Sequence, residues 1–242
     1  MHGSLKKDKK VLILGASSDI GISAVKKFIE KDWYVFAHAN ANIKQFEKIS
    51  VFKNRFRIIK CDLTKPKEVK RLIKIASRSK IISYVNLVGY LDNVNYLGTN
   101  LESLIKSLTI NTLVPNLIKR SLIKNMEKLK FGRILDISSI GVKYGGSEFT
   151  YNYSFSKHAL EYIPSFFKNL TKRNILTNIL RVGVVNTKLL KKIRGKNIKK
   201  RKSLIPIKRL ATTKEISDTI YNLASEENSY ISGENITISG GE

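Results

Sequence analysis

The chain has 242 residues, with 45 Lys+Arg against 19 Asp+Glu, a formal charge of +26 that favours anionic partners. Its single cysteine, Cys61, excludes an intramolecular disulfide, and with three scattered histidines it leaves no cluster at structural-zinc spacing. No apolar run reaches the roughly 18 residues a membrane span needs, and the start, MHGSLKKDKK, leads into a short β-rich run rather than a signal segment, so a cytoplasmic protein is expected.

The first elements follow at once. Val11 to Leu14 is an apolar run of buried-strand type, and GASSDIG, Gly15 to Gly21, is a turn of small residues. Ile22, Val25, Phe28 and Ile29 then recur at helical spacing before a second strand at Trp33 to His38. Gly15 permits a tight turn, Ala16 and Ser17 let the backbone approach a phosphate, and the helix start near Asp19 offers free N–H groups with the positive end of its dipole.

Further strands are expected at Phe56 to Lys60, Ile81 to Val88, Arg133 to Ile137, Leu176 to Arg181 and Asn235 to Ser239, and helices at Lys65 to Arg78, Leu101 to Met126 and Ser154 to Leu170. This alternation predicts an α/β fold. A single Rossmann-type, doubly wound parallel sheet carries helices on both faces and binds ligands at the carboxyl ends of its strands. No linker, low-complexity tract or repeat divides the chain, so one domain over 1–242 is expected.

The stretch YNYSFSK places Tyr153 and Lys157 four residues apart, on one face of a helix. Alone, that spacing is equally a solvated surface in a lysine-rich chain. Its context supplies more. The Gly15, Asp19, Gly21 turn, CDLT after the third strand, Asn86-Leu87-Val88-Gly89, Asn111 in LTINTLVPN, GRILDISSIGV and YNYSFSK stand in the order of the short-chain dehydrogenase/reductase family, which the chain resembles over almost its whole length.

The resemblance implies a catalytic set of Asn111, Ser139 (with Ser138 the near alternative), Tyr153 and Lys157. Tyr153 would be the general acid of carbonyl reduction and the general base of alcohol oxidation, its pKa lowered from near 10 by the Lys157 ammonium and a nicotinamide. Ser139 would bind the substrate oxygen, Lys157 the nicotinamide ribose, and Asn111 a water of the proton relay. Cofactor contacts are implied at Gly15, Ser17, Ser18, Asp19, Ile20, Gly21, Asn40, Asp62, Leu63, Asn86, Gly89, Val185 and Thr187. Asp19 replaces the family's middle glycine, where it could cap the helix; Leu87 and Val182 also depart from the pattern.

At the end of the second strand the acid that would select NAD is absent; Ala39 stands there, and Ser17, His38, Asn40 and Lys44 could surround a 2′-phosphate. NADP is therefore expected, with NAD the alternative. Residues 186–205 form the variable substrate segment, and KLLKKIRGKNIKKRK within it is basic without one acid. It reads either as a lid in a lysine-biased chain or as a site for an anionic substrate: a carrier-linked 3-oxoacyl group, a coenzyme A thioester or a nucleotide-linked sugar. Lys130 and Arg173 fall where carrier-linked reductases of the family place basic contacts. A homodimer or homotetramer is implied through the long helices and the last strand. The competing readings are a cofactor-binding regulatory protein without turnover and a nucleic-acid binder; no aromatic-rich basic groove or binding module supports the latter.

Overall fold

The computed structural model describes residues 9–195 and 197–242. Seven parallel strands form one sheet: β1 (Lys10–Leu14), β2 (Tyr34–Ala39), β3 (Phe56–Lys60), β4 (Ser83–Asn86), β5 (Gly132–Ser139), β6 (Ile175–Val182) and β7 (Asn235–Ile238). The order β3-β2-β1-β4-β5-β6-β7 reverses between β1 and β4, so their carboxyl ends diverge there and open a cleft. The alternation of the sequence thus corresponds to a doubly wound sheet, each strand within a few residues of its expected place.

Ten α-helices accompany the sheet among the described residues: α1 (Asp19–Glu30), α2 (Pro66–Arg78), α3 (Leu101–Leu108), α4 (Val114–Leu129), α5 (Ile140–Tyr144), α6 (Tyr151–Leu160), α7 (Phe167–Thr171), α8 (Lys188–Lys192), α9 (Ile198–Leu204) and α10 (Thr213–Ala224). On one face α1 and α10 bury Ala24, Val25, Phe28, Ile216 and Ile220 against Val11, Ile13, Val35 and Leu135. On the other, α2 and α4 bury Val69, Leu72, Ile118 and Leu122 against Leu12, Leu14, Tyr84 and Ile134. Both faces of β1 are therefore covered, which is why Val11 to Leu14 reads as an unbroken apolar run.

Two expected helices differ. Leu101 to Met126 is interrupted by a π-turn over Thr109–Leu113, closed by the Val114 N–H on the Thr109 carbonyl. Pro115 has no N–H for the Asn111 carbonyl, and the wider turn accommodates that loss. Ser154 to Leu170 breaks after Leu160 and resumes at Phe167, because Pro164 cannot continue the ladder. The break turns Glu161 inward, where Ser138 donates to it at 2.6 Å and Arg181 at 2.8 Å. No helix among the described residues is long and apolar enough to cross a membrane, and none of their His, Cys, Asp and Glu side chains cluster to hold a metal.

Candidate active site

The cleft at the switch point has a volume of about 1410 Å³, above the roughly 300–1,000 Å³ of ordinary ligand pockets. Its first wall is the glycine turn. Gly15 has φ +71° and its Cα lies so close to β4 that a Cβ would sit 2.9 Å from the Leu87 carbonyl carbon; no other residue fits without strain. At Gly21 a Cβ would meet the Ala16 carbonyl at 2.6 Å, so this glycine seats the helix on the turn rather than facing the cleft.

Ser18, not Asp19, caps α1: it has extended backbone and its hydroxyl accepts from the Gly21 N–H at 3.0 Å. Asp19 already lies inside the helix, where a cap cannot form. Its carboxylate instead accepts from the Lys188 N–H at 2.7 Å, tying the start of α8 to the glycine turn. Ser17, Ser18, Asp19 and Ile20 all line the cleft, with the first N–H groups of α1 free of helical partners.

His38 is the residue whose role the sequence did not disclose. It is buried, with Nδ1 accepting from the Gly15 N–H at 3.1 Å and Nε2 donating to the Cys61 carbonyl at 3.0 Å, so the Nε2–H tautomer is the one both partners require. Burial lowers its pKa, and both nitrogens are committed, so it is a neutral strut and not part of a cationic phosphate site. Lys44 is exposed and stands outside the cleft lining. Of the four groups expected around a 2′-phosphate, Ser17 and Asn40 remain; Ala39 is buried.

Asp62 and Leu63 close this end of the cleft. The Asp62 Oδ1 accepts from the Thr64 N–H and hydroxyl at 2.9 and 2.7 Å, which lowers its pKa and keeps it an acceptor. Asn86 does not line the cleft: it is fully buried, donating to Asp136 at 3.0 Å and accepting from the Val88 N–H at 3.2 Å. A central strand with helices on both faces leaves its side chain no path to a ligand. Gly89 does line it; a Cβ there would lie 3.8 Å from the Tyr153 ring and 3.7 Å from Leu189, so its absence keeps space beside the tyrosine.

The tetrad assembles from β5, the π-turn and α6. Tyr153, Lys157 and Ser139 line one wall. Ser139 caps α5, accepts from the Gly141 N–H at 3.1 Å and hydrogen-bonds the Tyr153 hydroxyl. Ser138 also touches the cleft, but its hydroxyl is given to Glu161, so Ser139 is the serine beside the tyrosine. Asn111 lies behind the wall: its amide accepts from the Tyr90 N–H at 2.7 Å and donates to the Tyr90 carbonyl and the Ser156 hydroxyl at 3.0 and 2.9 Å. Those bonds exhaust most of its capacity, leaving a latch that aims the segment after β4 instead of a side chain facing the cleft.

Lys157 is buried and donates to the Val88 and Ile137 carbonyls at 2.7 and 2.6 Å. Burial lowers its pKa to about 8 against the opposing pull of Asp136 and Glu161. Tyr153 departs from the expected lowering: burial pushes its hydroxyl up to about 12, against the Ser139 hydrogen bond. The physical reason is direction. The ammonium is aimed at two carbonyls and stands 5.9 Å from the tyrosine ring centre, so burial prevails over it.

Val185 and Thr187 form the opposite wall with Val182; Val185 bridges to Ala211, and Thr187 caps α8 through the Leu190 N–H. Lys188, Lys192, Arg194, Lys200 and Arg201 of the basic segment line the cleft, while Lys191, Lys199 and Lys202 do not, and Lys196 falls outside the described residues. Arg201 pairs with Glu242. Lys130 and Arg173 sit beyond the amino ends of β5 and β6, across the sheet from this cleft, with Arg173 paired to Glu127 at 2.5 Å; they do not reach the cleft of their own chain.

The donor set suits a dinucleotide: free helix N–H groups, a glycine at the closest approach, acceptors at Asp62 and a tyrosine–lysine pair at the far end. Residues 15–242 match the family described as Enoyl-(Acyl carrier protein) reductase. The chain belongs to the short-chain dehydrogenase/reductase family. The chemistry of that family is NAD(P)(H)-dependent oxidoreduction. A 3-oxoacyl-[acyl-carrier-protein] reductase FabG of Buchnera aphidicola subsp. Schizaphis graminum is 30% identical over 238 residues, 96% of this chain and 87% of the relative. An uncharacterized oxidoreductase, YmfI, of Bacillus subtilis is 27% identical over 246 residues, 97% and 98% of the two chains. The solved structure of ElxO with NADP bound superposes with a TM-score of 0.83 at 24% identity, covering 97% of this chain and 98% of its own. A second, a short chain dehydrogenase/reductase family protein, gives 0.85 at 18% identity, covering 98% of each.

Proposed function

We propose that this protein reduces the 3-oxo group of an acyl thioester to the secondary alcohol, with NADPH as the hydride donor. The observation that carries the reading is the meeting of Tyr153, Ser139 and Lys157 beside Gly89 in the cleft that the glycine turn also lines. When bound, the dinucleotide supplies the hydride that reaches the carbonyl carbon. Ser139 donates a hydrogen bond to the oxygen on which charge develops, and Tyr153 gives that oxygen its proton. A hydroxyl held at about 12 is protonated throughout the neutral range, which suits the acid of a reduction. Lys157 holds a positive charge next to the phenolate that remains and binds the ribose.

The walls support the substrate and cofactor class. Leu91, Tyr144, Phe149, Leu189, Ile193 and Leu204 offer an apolar surface around the reacting end, and the basic groups of residues 188–201 stand at its rim. An acyl chain on an acidic carrier presents that combination, and the FabG relatives act in name on such substrates. β2 ends in Ala39 rather than an acid, and Ser17 and Asn40 line the cleft beside it, which favours NADP over NAD. The exposed Leu101, Ile105, Leu113, Leu117, Phe155 and Phe166 on α3, the π-turn, α4, α6 and the segment before α7 support a homo-oligomer.

The test is NADPH consumption with acetoacetyl groups on carrier protein, on coenzyme A and on a short neutral thioester. Turnover that Tyr153→Phe removes is the expected result. Tight dinucleotide binding without turnover on any of them would leave the regulatory reading instead.

A further inference from the structure

Behind the cleft, on the face of β5 that meets α4, lies an ion pair that no part of the mechanism above uses. The Lys119 Nζ stands 2.7 Å from the Asp136 Oδ2, and the two side chains are 7% and 2% exposed. We propose that Asp136, paired with Lys119, is a positioning residue for Lys157: it fixes the ammonium's two acceptors and sets the charge on which the Tyr153–Lys157 pair works. The inference rests on Lys157 being the functional lysine.

Two routes lead from Asp136 to the ammonium. On adjacent strands Asp136 and Asn86 lie directly opposite, and the Asn86 amide donates to the Asp136 Oδ1 at 3.0 Å. The Asn86 side-chain Oδ1 accepts from the Val88 N–H at 3.2 Å, and the Val88 backbone carbonyl accepts from Lys157 at 2.7 Å. The other acceptor of Lys157, at 2.6 Å, is the carbonyl of Ile137, the residue next to Asp136 in β5. Asp136, Asn86, Val88, Lys157 and Ile137 therefore close a ring of covalent and hydrogen bonds, and Lys119 anchors it from α4.

Stability alone does not account for this pair. Two charges taken out of water cost several kcal/mol, and apolar side chains of like volume commonly serve as well or better. What apolar groups cannot supply is a carboxylate beneath a buried ammonium. The titratable and charged groups about Lys157 are Tyr153 on its own helix, Glu161 at that helix's end, tied to Arg181 of β6, and Asp136 of β5 with Lys119 of α4. Glu161 is offset by its arginine, and Asp136 does more than Glu161 to hold a proton on Lys157 against burial. Lys119 moderates the same carboxylate, so the two members of the pair act on Lys157 in opposite directions.

The experiment reads Lys157 directly. Lysines labelled with ¹³C at Cε are titrated by NMR in the full chain, with Lys157→Met identifying the signal. In Lys119→Met/Asp136→Asn, which removes both charges and retains an amide partner for Asn86, the Lys157 midpoint falls by about one pH unit, since the carboxylate that holds the proton on it is gone. The single variants keep the test open if the double variant does not fold: Asp136→Asn moves the midpoint down and Lys119→Met moves it up. A merely structural pair would move stability but not this midpoint in opposite senses. The alkaline limb of the pH–rate profile follows the NMR midpoint in each variant. Lys157 unmoved in every folded variant, or moved with an unchanged pH–rate limb, overturns the proposal. If the unaltered protein reduces no carbonyl while the midpoint still responds, the reductase reading fails and the coupling of Asp136 to Lys157 stands.

Discussion

The two walls of the cleft are built differently. The dinucleotide wall is made of backbone at the carboxyl ends of β1, β2 and β4, held by Gly15, Ser18 and His38, and its side chains mostly bond inward. The opposite wall is made of side chains from three separate segments: the loop after β4, the turn after β5 and residues 186–205. The Asp19 carboxylate on the Lys188 N–H joins them directly. A wall of backbone tolerates changes of side chain away from its glycines, whereas a wall of side chains changes its ligand with each substitution.

Substitution of Tyr153 tests the meeting point of both walls and should have the largest effect. Tyr153→Phe removes one exchangeable proton and little volume, so kcat should fall by about 10²–10⁴ while dinucleotide binding persists. Retained turnover in a steady-state assay would separate the tyrosine from the chemistry. Gly15→Ala attacks the backbone wall alone. Its positive φ and the approach to Leu87 predict a loss of about 1–3 kcal/mol in chemical denaturation, with weaker dinucleotide binding measured by fluorescence. Unchanged stability would show that the turn relaxes.

Acid should loosen the same wall through His38. The folded protein favours the neutral ring, so the unfolded chain binds more protons between the two pKa values. That contribution is fully present above the unfolded value near 6.5 and is lost as pH falls below it, at up to about 1.4 kcal/mol per pH unit. His38→Gln, which can still accept from Gly15 and donate to Cys61, should flatten the slope of stability against pH between 6.5 and 5. A slope that persists would place the titration elsewhere.

Smaller effects are expected where the walls touch. Asp19→Gly removes a charged acceptor worth about 1.5–3 kcal/mol to its hydrogen bond, so exchange of the Lys188 amide should quicken at least about tenfold by hydrogen–deuterium mass spectrometry. Protection equal to the native level would mean that α8 is held by its apolar contacts, Leu190 against Val184 and Ile205. Smallest of all is the rim: Lys200→Gln/Arg201→Gln should raise KM for a carrier-linked substrate about three- to tenfold at low salt and less at high salt, as for partly screened pairs. An equal loss with a neutral thioester would make α9 a structural lid.

Much of this was legible along the chain because it is local. Val11 to Leu14 followed by GASSDIG and a 3.6-residue apolar pattern specifies strand, turn and helix with neighbours only, and the spacing of Tyr153 to Lys157 places two side chains on one helical face whatever surrounds them. Residue type at those places also bounded the chemistry: small residues where backbone must approach phosphate, a hydroxyl and an amine where a proton must move. Directions of side chains were not local. His38 was a candidate phosphate ligand until Gly15 and Cys61, far apart in sequence, took both its nitrogens. Asp19 passed from cap to clasp because α8 arrives 169 residues later. Asn86 and Asn111 turned inward because burial demands partners for every amide, and those partners stand on other strands and helices. The chain's order of polar and apolar residues determined the doubly wound parallel sheet; the pairing of buried polar groups, which only the packed sheet brings within hydrogen-bond reach, decided which of them face the ligand.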